Sequence, residues 1–176
     1  MHLLGGLLVL IGAVAVWYWR VRMARDAAGD AIEAGNDIRL SARRLMYKRK
    51  HDVHPADCVD DPRLAAAGIA VAVATMDHPI SQAEIAALTD SARQTFDVTE
   101  REALDIVSFG RWVADQCNTQ EEAVRRLSKV VASLAGPNAA DDLVAMIQAV
   151  STAGGAELGE DELAAIETVR RVLASA

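Results

Sequence analysis

Two cysteines, four prolines and four histidines stand in a chain of 176 residues, and its aromatic residues are two Phe, two Tyr and three Trp. Two cysteines cannot build a disulfide scaffold, and Cys58 and Cys117 read as a loop thiol and a helix-end thiol kept reduced. Neither G-x-S-x-G nor H-E-x-x-H occurs, and each nearby Asp–Glu pair is better used in capping a helix than in general acid–base work. No enzyme is expected. Runs of alternating polar and apolar residues are also missing, which removes the half-buried strand from the menu. What remains is 52% apolar and 24% charged, with 34 alanines, a folding composition whose core is filled by small side chains.

The net charge of -7 hides a division. Residues 1–50 carry nine Lys or Arg against four Asp or Glu, whereas residues 51–176 carry nine against twenty-one. An acidic domain repels a phosphate backbone, so no nucleic-acid partner is expected for the C-terminal part.

From Leu3 to Trp19 seventeen residues pass without a charge. At 1.5 Å per residue they make roughly 25 Å of helix, near the lower limit for crossing a bilayer. Trp17, Tyr18 and Trp19 sit where an interfacial aromatic belt belongs, and Arg20, Arg22 and Arg25 follow as a cytoplasmic flank. The reading is a single-pass anchor over residues 1–25 in a bacterial inner membrane, with the N-terminus outside and the rest in the cytoplasm. Ala13-Val14-Ala15 fits a signal-peptidase pattern, but no Lys or Arg precedes the apolar run as a secretory signal would require. Gly5 and Gly12, with Gly6 and Ala13, recur at seven-residue spacing and give a slight hint of a homodimer, although no GxxxG is present.

Residues 26–60 read as a basic juxtamembrane helix and linker. Its Arg39, Arg43, Arg44, Lys48, Arg49 and Lys50 suit anionic lipid headgroups, and equally suit a solvated helix face. In the stretch His51 to Pro62, prolines, acids and histidines interrupt every apolar period and mark a loop. His51, His54, Asp57 and Cys58 are metal-capable types, but a zinc site ordinarily needs a second ligand pair, for which only His78 and Cys117 remain.

Residues 61–176 read as helices. Asp61-Pro62 is an N-cap with proline at the first helical position, opening an apolar stretch from Leu64 to Met76 that is too short for a second span and fits a buried central helix. Ser81/Glu84, Thr99/Glu102 and Thr119/Glu122 have capping-box spacing. Behind them, Ile85, Leu88, Ala92 and Phe96 share a face, as do Ala103, Ile106, Val107, Gly110 and Val113, and Ala123, Val124, Leu127, Val130, Val131 and Leu134. Asn138 is placed to cap a helix burying Leu143, Met146, Ile147 and Val150, and a last helix presents Leu163, Ile166, Val169 and Leu173. The fold class is all-α, about six helices behind one transmembrane helix. Trp112 falls off its helix's main apolar face and is a candidate contact point.

A shift of 78 residues superposes Ile80–Leu88 on Leu158–Ile166, so the first and last helical hairpins look like versions of one unit. The arrangement resembles the TerB-like family, the helical domain of tellurite-resistance TerB proteins and of the segment preceding the J domain in the membrane co-chaperone DjlA. Each hairpin turn of that family reads A-D-G-x-I/L-S-x-x-E. Here the first turn keeps Asp77, Ile80-Ser81 and Glu84, while the second keeps Leu158 and Glu162 but places Gly155 where the Asp belongs. The resemblance covers residues 61–176, and the anchor in front of it is similar to the front half of DjlA. No His-Pro-Asp occurs, so a J-domain role is not carried over.

The resemblance implies a protein-interaction module with a protein partner at the membrane, in envelope or metal (tellurite) stress. It also implies a divalent cation as candidate cofactor, none being certain, with Asp77, Glu84, Glu157, Glu160, Asp161 and Glu162 as the place to look. Hard cations need several clustered oxygens, which the second turn supplies. Against this, Glu84 is already accounted for as a capping acid, and Glu160, Asp161 and Glu162 fall in a helix's first turn, where the macrodipole favours negative charge.

Overall fold

The computed structural model describes residues 53–175 apart from 154 and 156. The apolar run at 3–19, its Trp17–Arg25 flank and the basic cluster from Arg39 to Lys50 therefore lie outside the described residues. Among the described residues six α-helices and two short 3₁₀ turns carry the fold, with no strand. They are α1 (Pro62–Ala74), α2 (Gln82–Phe96), α3 (Glu100–Ala114), α4 (Gln120–Ala135), α5 (Ala140–Ser151) and α6 (Glu160–Ala174). None is long and apolar enough to cross a membrane.

Helix α1 begins as its sequence dictates. The Asp61 carboxylate accepts the Arg63 N–H at 3.0 Å, Pro62 occupies the first turn, and Thr75 closes the other end. Every residue from Leu64 to Ala74 is buried, because α3, α4 and α5 pack around it with α2 beside them. Alanine and glycine on this helix let its neighbours come close, and its own Ile69 is fully buried with Phe109, Leu127 and Ile147 from the helices around it. Each such side chain contributes about 1.5–3 kcal/mol of transfer free energy.

Two capping boxes close reciprocally. Ser81 Oγ accepts the Glu84 N–H while Glu84 Oε2 accepts the Ser81 N–H at 2.7 Å, and Thr99 and Glu102 repeat the exchange. The third is half a box. Thr119 Oγ1 accepts the Glu122 N–H at 3.2 Å, but the Glu122 carboxylate reaches one residue further back, to the Asn118 N–H. Asn138 caps nothing: Gly136 at φ 74 turns the chain into a 3₁₀ turn over Pro137–Ala139, and α5 starts from Ala139 without a side-chain cap.

The inward faces differ from the expected ones: on α2, Ile85 and Phe96 are only half-buried while Glu84 and Thr89 are buried, and three larger departures lie elsewhere. Leu134 and Leu163 are 47% and 51% exposed, while Phe109 is fully buried. On α6 the buried stripe runs Glu162, Ala165, Ile166, Val169 and Leu173, which leaves Leu163 about 100° round the helix. On α3 the buried arc is wide because α1 and α2 both cover it.

Of the segment read as a linker, residues 53–60 are seated on the helices. A 3₁₀ turn (Pro55–Cys58) lies against α4 and α3, with Ala56 and Val59 buried. His54 Nδ1 accepts the Ala56 N–H at 3.2 Å, starting that turn.

Candidate functional site

The two hairpin turns of the internal repeat are the most elaborated part of the surface. In the first, α1 ends at Thr75 and α2 begins after Ser81; in the second, α5 ends at Thr152 and α6 begins after Gly159. Both second helices carry an acid at the third position, and both acids are buried, Glu84 at 2% exposure and Glu162 at 9%. Each folds back onto the backbone that precedes its helix: Glu84 onto the Ser81 N–H at 2.7 Å and Glu162 onto the Gly159 N–H at 2.9 Å. Burial of a carboxylate is costly unless such donors satisfy it, so both are committed to closing their turns.

The turns also meet. A methyl group built on Gly159 would come within 2.8 Å of Asp77 Oδ2 and 3.9 Å of Glu162 Oε2, which puts the Asp77 carboxylate against the start of α6. There it faces the positive end of that helix. His78 Nε2 stands 3.9 Å from Glu84 Oε1, and His78 Nδ1 is 3.2 Å from the Pro79 carbonyl oxygen.

The six acids singled out in the sequence thus have different roles. Asp77 and Glu162 meet at Gly159, whereas Glu84 is spent on its own turn at Ser81. Glu157, Glu160 and Asp161 are exposed, Asp161 lining a small cleft with Met76 and Val124. Among the described residues no three His, Cys, Asp or Glu side chains converge as a ready ligand set.

A second polar cluster joins an i,i+4 pair on α4 to a residue far away in the sequence. Arg126 on α4 donates from Nε to Glu122 Oε1 at 2.8 Å and from Nη1 to Asp57 Oδ2 at 2.6 Å, tying the first 3₁₀ turn to α4. The Arg126 guanidinium, followed by the Asn118 donors, lowers the Glu122 carboxyl to about 2. Cys117 beside this cluster is a free thiol, pushed up to about 11 mainly by burial. A thiol so far above neutrality is a poor nucleophile. Cys58 is also free.

At the other end of the bundle an apolar cleft of about 220 Å³ opens between the first turn of α1 and the last turns of α2 and α4. Trp112, marked in the sequence as a contact point, is half-buried, its ring centroid 5.2 Å from that of Phe109.

A family model described as Tellurite resistance protein TerB matches residues 63–175. No curated protein and no solved structure matches the chain.

Proposed function

Because this chain belongs to the tellurite-resistance TerB family, we propose that it is a membrane-anchored, non-catalytic interaction module that holds an acidic helical domain at the cytoplasmic face of a bacterial inner membrane. There it engages a protein partner in envelope or metal (tellurite) stress. The observation that carries the reading is the order of features along one chain. Seventeen uncharged residues end in Trp17-Tyr18-Trp19, Arg20, Arg22 and Arg25 come next, and the family's helical domain follows. Anionic lipid headgroups are the fitting partner for the basic cluster between them.

The test is fractionation of the full chain and of a version lacking residues 3–19. The full chain is expected in the membrane pellet after a carbonate wash, and the shortened one in the supernatant. A full chain recovered from the supernatant sinks the anchor, and the module's placement with it.

A second reading, divalent-cation binding or sensing, is favoured by the approach of Asp77 to the second turn. Calorimetric titration with calcium, magnesium, manganese and zinc decides it. Saturable binding lost in Asp77→Ala supports a cation site. No binding below about millimolar, the weak end for calcium modules, leaves the turn acids as helix caps.

A further inference from the structure

Trp112 belongs to a ridge on the outer side of α3. Leu104, Ser108 and Trp112 follow at four-residue spacing and line up along the helix, the row by which one helix packs against another element. Leu104 is 49% exposed, Ser108 is exposed and Trp112 is half-buried. Among the described residues α3 packs on α1, on α2 and on the 3₁₀ turn Pro55–Cys58, and Ile106, Val107, Gly110 and Val113 are buried on its other side.

Charge does not select what lies on this ridge. Arg101 and Arg111 stand beside it with Asp105 and Asp115, two of each sign, and Arg101, Asp105 and Ser108 are already engaged. Size and position do select it. Two apolar side chains fall far short of the roughly 20–30 residues a side with which a stable interface holds a separate protein. A segment tethered to the domain acts at an effective concentration in the millimolar range and needs far less contact.

The chain supplies such a segment. The described residues begin at Val53, 48% exposed, two residues before the 3₁₀ turn that lies against α3 and α4. The hydrogen bonds from Arg126 to Asp57 and Glu122, and from Asn118 to Glu122, hold that turn at the corner between α3 and α4, the Trp112 end of the ridge. Directly ahead stand Met46 and Tyr47, then the cations Lys48, Arg49 and Lys50, with Asp52 as the one acid. Seven residues reach at most about 25 Å. The ridge from Leu104 to Trp112 spans about 12 Å, well within that reach.

We propose that residues 46–52 dock on the Leu104–Ser108–Trp112 ridge, with Met46 and Tyr47 set against Leu104 and Trp112. The docking goes beyond the anchor reading and stands without it. Where the anchor holds, docking divides the basic cluster: Arg39, Arg43 and Arg44 stay available to lipid headgroups, while Lys48, Arg49 and Lys50 are withdrawn from them.

The test is limited trypsin digestion of the full chain in phosphatidylcholine nanodiscs, with cleavage after Lys48, Arg49 and Lys50 timed by mass spectrometry. Leu104→Lys with Ser108→Lys, at two exposed positions whose new charges repel the segment, should speed that cleavage at least fivefold. Tyr47→Ala, which leaves the helical domain untouched, should do the same. Leu163→Lys with Glu167→Lys, an exposed pair at the same spacing on α6, should leave the rate within twofold.

Unchanged cleavage in Tyr47→Ala or in the ridge variant overturns the proposal. So does equal acceleration by the α6 pair, because added charge alone then frees the segment. Protection that appears only in discs containing phosphatidylglycerol assigns the segment to lipid and also overturns it. If the carbonate wash releases the chain, the digestion is run without discs, so the docking and the anchor fail separately.

Discussion

Gly68 and Gly110 face each other where α1 crosses α3. A methyl group on Gly110 would lie 2.8 Å from the Gly68 nitrogen and 2.8 Å from the Ala67 carbonyl carbon. These are backbone atoms of a helix that three others enclose, and they cannot give way. Gly110→Ala is therefore expected to destabilise the fold by about 1–3 kcal/mol despite alanine's better helix propensity. A methyl on Gly68 meets instead Leu127 Cδ1 at 2.7 Å and Val113 Cγ1 at 2.9 Å, both side-chain ends, so Gly68→Ala should cost less. Thermal unfolding followed by circular dichroism ranks the two, and the reverse order would show that α1 and α3 do not cross this closely.

Gly159 provides the contrast. Its φ of -71 suits any residue, and the atom a methyl would meet is the end of the exposed Asp77 side chain. Gly159→Ala should cost about 0.5–1 kcal/mol, the ordinary loss on putting alanine in place of glycine at an N-cap, with nothing added for steric strain. A loss as large as that from Gly110→Ala would mean that Asp77 is held far more firmly than its exposure implies.

Ser81→Ala removes the acceptor for the Glu84 N–H and should cost about 1 kcal/mol by denaturant titration. Glu84→Gln keeps an acceptor for the Ser81 N–H but exchanges a charge-assisted bond for a weaker one, so the melting temperature should fall here too. If both variants melt with the parent, the first turn is not closed by this box.

Glu122 makes stability depend on acid. Its carboxyl is lowered to about 2 in the folded chain by Arg126 and Asn118, below the ordinary 4.5. A depressed folded value contributes stability that is complete above the unfolded value and is lost as pH falls through the folded one. The loss attributable to this residue should therefore run from about pH 5 down to about pH 2. Glu122→Gln should flatten that limb of the melting-temperature profile. An unchanged profile would show that the Asp57–Arg126–Glu122 chain does not form in solution.

Cys117 acts at the other end of the scale. Burial raises its thiol from 9.0 to about 11, so the native protein keeps the proton while the unfolded chain has begun to lose it. This stabilisation is present below pH 9 and fades as pH rises towards 11. At pH 9 the native thiol should react with iodoacetamide roughly fifty-fold more slowly than the same residue in denaturant, reflecting its smaller thiolate fraction. A Cys58→Ser background isolates the signal, and equal rates would mean that the half-buried setting of Cys117 does not raise its thiol.

Much of the architecture was legible because it is written in local chemistry. Asp61-Pro62, Ser81/Glu84 and Thr99/Glu102 announce helix starts through side chains bonding backbone a few residues away, and all three do so in the structure. The central place of α1 followed from an apolar stretch too short to span a bilayer and apolar all round. The misses involve geometry that sequence spacing does not encode. Leu163 looked like a stripe residue because the real stripe contains Glu162, a carboxylate that hides its own burial. Phe109 lies off the expected face because a helix covered by two neighbours buries more than one stripe. Of the candidate site, the kinship of the two turns was visible in the 78-residue echo, but not that Asp77 of the first turn abuts Gly159 of the second. Asp57 and Arg126, 69 residues apart, carry no mark of each other.

The duplicated closure of the hairpins has a consequence for how the domain opens. Each turn is fastened by its own carboxylate on its own backbone, Glu84 at one and Glu162 at the other, so releasing one fastening removes no bond from the other. The repeat thus supplies two latches side by side, and a fluctuation that frees one hairpin leaves the fastening of its neighbour in place.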